Sequence, residues 1–229
     1  MNYSYQVILE QSIPIVTNLA SLNSPVFIPI AGPDRIGKTT LAGKFRDELH
    51  EVAIVTTDVY LKNSREDRLR AAKEGKSGYW LEMHFVELLF SDLKNLKAGK
   101  PIRRRNYNPL DGTTTEVAGE YIEPGRYVIV DSGISLTDPF LDIYPPTRFG
   151  IFISADEEAR RIIKDRVDSQ EKNYGELYKR HSREEVELFI NRNLEDCKRI
   201  VMPTREKADL VAEVDENYKV LQTTLQKPK

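Results

Sequence analysis

Between Ile30 and Thr40 the chain reads IAGPDRIGKTT, with Gly32 and Gly37 five positions apart and Lys38, Thr39 and Thr40 directly after the second glycine. Each residue type in this G-x-x-x-x-G-K-[ST] spacing has a task on a polyphosphate. Glycine lets main-chain N–H groups turn inward with no Cβ in the way, a lysine ammonium reaches the β and γ oxygens, and a threonine hydroxyl meets Mg2+. The expected cofactors are ATP and Mg2+, cradled by Gly32, Asp34, Arg35, Ile36, Gly37, Lys38, Thr39 and Thr40. A chance glycine turn is the alternative, and the flanks speak against it. An apolar run, VFIPIAG, precedes the loop, and Leu41, Phe45 and Leu49 follow at helical spacing.

Three further groups could work beside such a cradle. Asp58, in IVTTDVYLK, ends a second apolar run, where a carboxylate can orient or deprotonate an incoming hydroxyl; a solvated loop aspartate or helix cap is the other reading. Asp131, in YVIVDSG, ends a third run, where an acid can share Mg2+ with Thr39, although Asp-Ser-Gly is also good turn chemistry. The segment ADEEARRIIKDRVD carries Arg160, Arg161, Lys164 and Arg166, which could close over a triphosphate or simply pair with neighbouring acids on a solvated face. In IRRRNY, period-two alternation places Arg103, Arg105 and Tyr107 on one face, suited to an anionic or ring-bearing substrate or to charge protection of an edge strand.

The elements that must position these residues alternate along the chain. Strands are expected at Val26 to Ala31, Val52 to Thr57, Tyr127 to Asp131, Phe149 to Ser154 and Leu210 to Val214. Helices are expected at Lys38 to His50, Glu82 to Leu96, Glu157 to Val167 and Arg183 to Val201. Near-continuous apolar strands separated by helices predict a three-layer α/β/α fold with a mainly parallel sheet, and ligands then sit at the strands' carboxyl ends. The expected organisation is a helical N-terminal extension over 1–24, a catalytic domain over 25–215 and a tail over 216–229. A β-hairpin is inserted at about 98–120, turning at NPLDG, and a lid spans about 160–182.

With 229 residues, one large domain is expected. The 34 basic and 36 acidic residues nearly cancel, so no global field selects nucleic acid or a membrane surface, and the expected partner is a small-molecule substrate. A homo-oligomer stays open. Cys197 is the only cysteine, which excludes an intramolecular disulfide; a reducing compartment, the cytoplasm, is expected. The N-terminus has no basic start and mixes polar residues into its apolar ones, unlike a signal peptide.

Together these residues resemble the P-loop kinases that include uridine kinase, phosphoribulokinase and pantothenate kinase, over roughly residues 27–211. VTTDVYL looks like the pantothenate kinase stretch whose aspartate is the catalytic base. LKAGKPIRRRNYN is similar to the family's substrate-side hairpin, MPTREKADLV to a segment before its last strand, and ARRIIKDR to its lid helix. The resemblance implies a P-loop NTPase fold and ATP-dependent transfer of the γ-phosphate to a hydroxyl, with Asp58, Lys38, Arg161 and Arg166 as catalytic residues. Asp58, Tyr60, Arg103, Arg105 and Tyr107 would then face the substrate. The likeness departs at Ser132, where family members usually carry glutamate, and at Asn108, where uridine kinases carry aspartate. A nucleotide-binding switch without phosphotransfer and a nucleoside monophosphate kinase are the alternative functions.

Overall fold

The computed structural model describes residues 5–22, 25–108, 111–170 and 181–226, without the side chains of 164–170. A six-stranded sheet runs in the order β2-β5-β1-β6-β7-β8: β1 (Val26–Ala31), β2 (Val52–Thr56), β5 (Tyr127–Asp131), β6 (Ile151–Ser154), β7 (Leu210–Val214) and β8 (Val220–Leu225). The first five are parallel and β8 lies antiparallel to β7. Strands β1, β5 and β6 are buried along their whole length, which is why they read as unbroken apolar runs. Pro29 cannot donate a ladder hydrogen bond, and the β1–β6 pairing is interrupted there: Phe27 pairs with Arg148, and the ladder resumes at Ile30–Ile151.

Helices cover both faces. On one, α1 (Gln6–Ala20), α2 (Lys38–Glu48) and α6 (Glu157–Gln170) bury Ile8, Val16, Leu41, Phe45 and Ile163 against the sheet. On the other, α4 (Val86–Lys97) buries Leu89, Leu93 and Leu96 with Phe140 of the short α5 (Asp138–Leu141) and Cys197, which follows α7 (Arg183–Asp196). This is the expected three-layer α/β/α architecture. A separate antiparallel hairpin, β3 (Ile102–Tyr107) with β4 (Thr114–Ile122), overhangs the β2 edge.

Four departures from the sequence reading have local causes. The stretch after 216, expected as a tail, instead supplies β8, whose half-polar face gives little apolar signal. The helix expected from Glu82 is broken, because His84 is extended and bridges Leu61, so α4 starts at Val86. An additional helix, α3 (Arg65–Lys73), starts at a capping box in which the Ser64 hydroxyl accepts from the Asp67 N–H and the Asp67 carboxylate accepts from the Ser64 N–H. Finally, the β3–β4 register shifts between Arg103 and Arg105, so simple alternation fails across the bulge.

Among the described residues no helix is long and apolar enough to cross a membrane. Because Ile8 of α1 is fully buried in the sheet's core, Ile8→Ala should cost about 2–5 kcal/mol of folding stability. Urea denaturation would check this; a loss below about 0.5 kcal/mol would mean that α1 is not part of the cooperative core.

Candidate active site

The site is built where β1, β5 and β2 end side by side. Register pairs Ile30 with Asp131 and Asp131 with Thr56, so the loop after β1, the acid ending β5 and the turn after β2 emerge on one rim. The loop takes its shape from two glycines. Gly32 has φ +141° and lies so close to the Ile153 carbonyl that a Cβ would collide with it. Gly37, at φ +94°, opens α2, and a Cβ there would run into the Tyr5 hydroxyl. That hydroxyl donates to the Ile36 carbonyl at 3.3 Å, so α1 braces the loop from behind. The Asp34 N–H donates to the Tyr79 hydroxyl at 3.0 Å. The Ile36 side chain is buried in the core, and neither Ile36 nor Gly32 lines the cavity that Asp58 faces.

Lys38 and Thr39 occupy the first turn of α2, whose N-terminus favours anions. The Lys38 ammonium donates to the Pro33 carbonyl of its own loop at 2.7 Å. Thr39 donates its hydroxyl proton to Asp131 Oδ2 at 2.7 Å. This pair fits Mg2+: both donors are hard oxygens, and the ion commonly completes its shell with waters and substrate phosphates rather than an all-protein cage.

Asp58 stands in a single 3-10 turn, Thr57–Tyr60. Ser132 fixes that turn, its hydroxyl accepting from Thr57 Oγ1 at 2.8 Å and from the Ile134 N–H at 3.2 Å. The Asp58 carboxylate faces a cavity of about 440 Å³ that it shares with Asp34, Arg35, Lys38, Thr39, Thr40 and Asp131. Water reaches it through the cavity mouth, yet protein surrounds it. That enclosure, with Asp34 and Asp131 nearby, raises its pKa above the ordinary 3.8, against the opposing pull of Lys38 and Arg68. His84, also on the cavity wall, is driven down to about 4 by burial and is neutral at physiological pH.

Tyr107 of the hairpin joins the wall as expected, but the rest was not legible as a site: it includes Arg65 and Arg68 of α3 and Phe189 and Asn193 of α7. RLR within REDRLR reads as a solvated charged helix. The signal that could have found it is the spacing of Arg65, Arg68, Leu69 and Ala72, which form the buried face of α3.

Of the expected substrate residues, Asp58 and Tyr107 reach this cavity and the others do not. Tyr60 is 1% exposed, and its hydroxyl donates to Asp92 Oδ2 at 2.8 Å. Arg105 donates to the same carboxylate at 2.5 Å and stacks over the Tyr60 ring at 5.1 Å, locking the hairpin onto α4. Arg103 stays on the outer surface beside Glu116 and Tyr121. The bulge between Arg103 and Arg105 removes the shared face that alternation predicts. Arg161 is exposed on α6 and does not line the cavity. The Arg166 side chain, and residues 171–180 of the expected lid, lie outside the described residues.

The fold and the loop define the class: this is the P-loop kinase fold. No family model matches the chain. Among curated relatives, the uridine kinase of Lactobacillus johnsonii is 28% identical over 195 residues, 82% of this chain and 85% of that protein. The pantothenate kinase of Rhizobium rhizogenes is 24% identical over 258 residues, 98% and 76% of the two chains. Among solved structures, the YGR205w protein superposes with a TM-score of 0.70 at 17% identity, covering 100% of this chain and 98% of that one. Phosphoribulokinase from Rhodobacter spheroides does so at 0.61 and 13%, covering 83% and 70%. The relatives agree with the resemblance read from the motifs and support a P-loop kinase.

Two outcomes follow from this geometry. Gly37→Ala places a side chain at positive φ against Tyr5 and should weaken nucleotide binding by roughly tenfold or more, since the strain is on the order of 1–3 kcal/mol; calorimetric titration with ATP would check it. A carboxyl group whose pKa is higher in the folded than the unfolded chain opposes folding above its ordinary pKa, since the unfolded state gives up the proton first. Asp58→Asn should therefore stabilise the protein at pH 7, with the gain fading as the pH falls below the raised folded-state pKa and gone below 3.8. Denaturation midpoints against pH would show it.

Proposed function

We propose that the protein is an ATP- and Mg2+-dependent kinase that transfers the γ-phosphate to a hydroxyl of a small-molecule acceptor in the cytoplasm. One observation carries this reading: a single cavity brings together Asp34, Arg35, Gly37 and Lys38 of the glycine loop, the Thr39–Asp131 pair, and a carboxylate, Asp58, that no side chain among the described residues neutralises by a hydrogen bond or ion pair.

Main-chain amides of residues 35–40 and the Lys38 ammonium, released from the Pro33 carbonyl, hold the phosphates in place. Thr39 and Asp131 would hold Mg2+, which when bound would supply positive charge against the phosphates. Asp58 accepts the acceptor's hydroxyl hydrogen, which aims the oxygen at the γ-phosphorus. As the new O–P bond forms and the β–γ bridge bond breaks, Asp58 takes the proton and ADP leaves. Its raised pKa suits the task, because a base nearer to the working pH holds the proton better in the transition state. Neutral His84 can accept or donate a hydrogen bond beside it without adding charge.

Asp58→Asn keeps the shape of the group and removes its basicity. ATP binding by calorimetry should be nearly unchanged, while acceptor-dependent ADP release should fall about a hundredfold or more. Unchanged turnover would remove Asp58 from the mechanism. Acceptor-independent ATP hydrolysis with no acceptor stimulation would remove phosphotransfer itself.

A further inference from the structure

We infer that the phosphate acceptor is an anion, a hydroxy compound bearing a carboxylate or a phosphate, and that Arg68 with Arg65 receives its charged end. The inference rests on the kinase reading above and names the substrate class for that same cavity.

Arg68 is 5% exposed. Its guanidinium makes three hydrogen bonds, all to neutral oxygens: the Asn63 carbonyl at 2.5 Å, the Gly112 carbonyl at 3.3 Å and the Tyr107 hydroxyl at 3.1 Å. Among the described residues no carboxylate lies within 4.0 Å of it. Asp58 feels its charge without touching it. The chain treats its other buried hairpin-side arginine differently: Arg105 has Asp92 at 2.5 Å and Glu116 at 3.3 Å. A buried guanidinium held only by neutral dipoles lacks the compensation that a counterion gives, and a cavity wall is where a ligand can supply it.

Placement assigns that ligand to the acceptor rather than to the nucleotide. The partners of Arg68 are Asn63, just after the Asp58 turn, and Gly112 and Tyr107 of the hairpin; none belongs to the glycine loop. Arg65, one turn earlier on the buried face of α3, lines the same wall, and its N–H donates to the Asp111 carbonyl at 2.6 Å. The hairpin tip is thereby seated on the start of α3. A Cβ on Gly112 would strike the Arg68 guanidinium, so the tip is as close as a backbone can come. An acceptor with its hydroxyl at Asp58 and its anionic end at Arg68 would span this wall, with Phe189 and Asn193 beside it.

Matched acceptor pairs test this with the wild-type protein: glycerate against glycerol, pantothenate against pantothenol, and ribulose 5-phosphate against ribulose, each with ATP and Mg2+ in an ADP-release assay. The anionic member of the productive pair should exceed its neutral partner about a hundredfold or more in kcat/KM, and the pair that responds separates carboxylate from phosphate. In Arg68→Lys, which keeps the charge and loses the fork, KM for that acceptor should rise roughly tenfold or more while KM for ATP stays within about twofold. Equal use of a neutral acceptor, or an Arg68→Lys effect on ATP alone, overturns the inference and leaves the kinase reading standing. No ADP from any pair, with ATP binding intact, overturns both.

Discussion

The site depends on how closely backbone can approach backbone at Gly32. β1 lies between β5 and β6, and the chain leaving it must bend over the end of β6 to reach α2. Gly32 makes that bend against the Ile153 carbonyl in space that no side chain could share. Its partner constraint is at Gly37, where Tyr5 before α1 and Tyr218 from the β7–β8 connection lie beside the loop. Tyr5 and Tyr218, far apart in sequence, therefore both lie against the phosphate cradle at Gly37. Segments that look peripheral in sequence, α1 and β8, shape a loop whose own residues look self-sufficient.

The same rim sets the electrostatics. Asp34, Asp58 and Asp131 lie close enough for the first and last to raise the pKa of the second, while Lys38 and Arg68 lower it. Asp131 accepts the Thr39 hydroxyl, whereas the Asp58 carboxylate is left to meet a substrate. Its unfavourable position in the folded protein is what a poised base requires, and functional groups often sit where stability alone would not put them.

How much of this was legible depended on whether a residue's neighbours lay in its own segment. The glycine loop, Asp58 and Asp131 each follow an apolar strand, so local sequence places them on one rim. The parallel order came from the alternation of runs in the same way. Tyr60 and Arg105 were misread because their partner is Asp92, a buried acid on α4 that no local pattern links to either. The bulge in β3 changed which hairpin side chains share a face, and bulges leave little trace in alternation. Arg65 and Arg68 were invisible for a related reason: an arginine in a charged helix reads as solvated unless one knows that a hairpin lies on top of it.

Ser132 shows how an apparent loss in sequence becomes a substitution of means in the fold. The resemblance places a glutamate at this position in related kinases, and its absence could suggest a site short of acid. Here the Ser132 hydroxyl is buried and binds Thr57 and the Ile134 N–H, so it holds the turn that presents Asp58. The acid nearest the threonine of the loop is instead Asp131, one residue earlier, whose side chain points across β1 because it pairs in register with Ile30 and Thr56. β5 ends at Asp131, so Ser132 is the first residue beyond the strand and is free to serve the turn while Asp131 serves the loop. A glutamate at 132 would have to displace the Thr57 and Ile134 contacts before it could reach the same space, and the turn carrying Asp58 would lose its anchor.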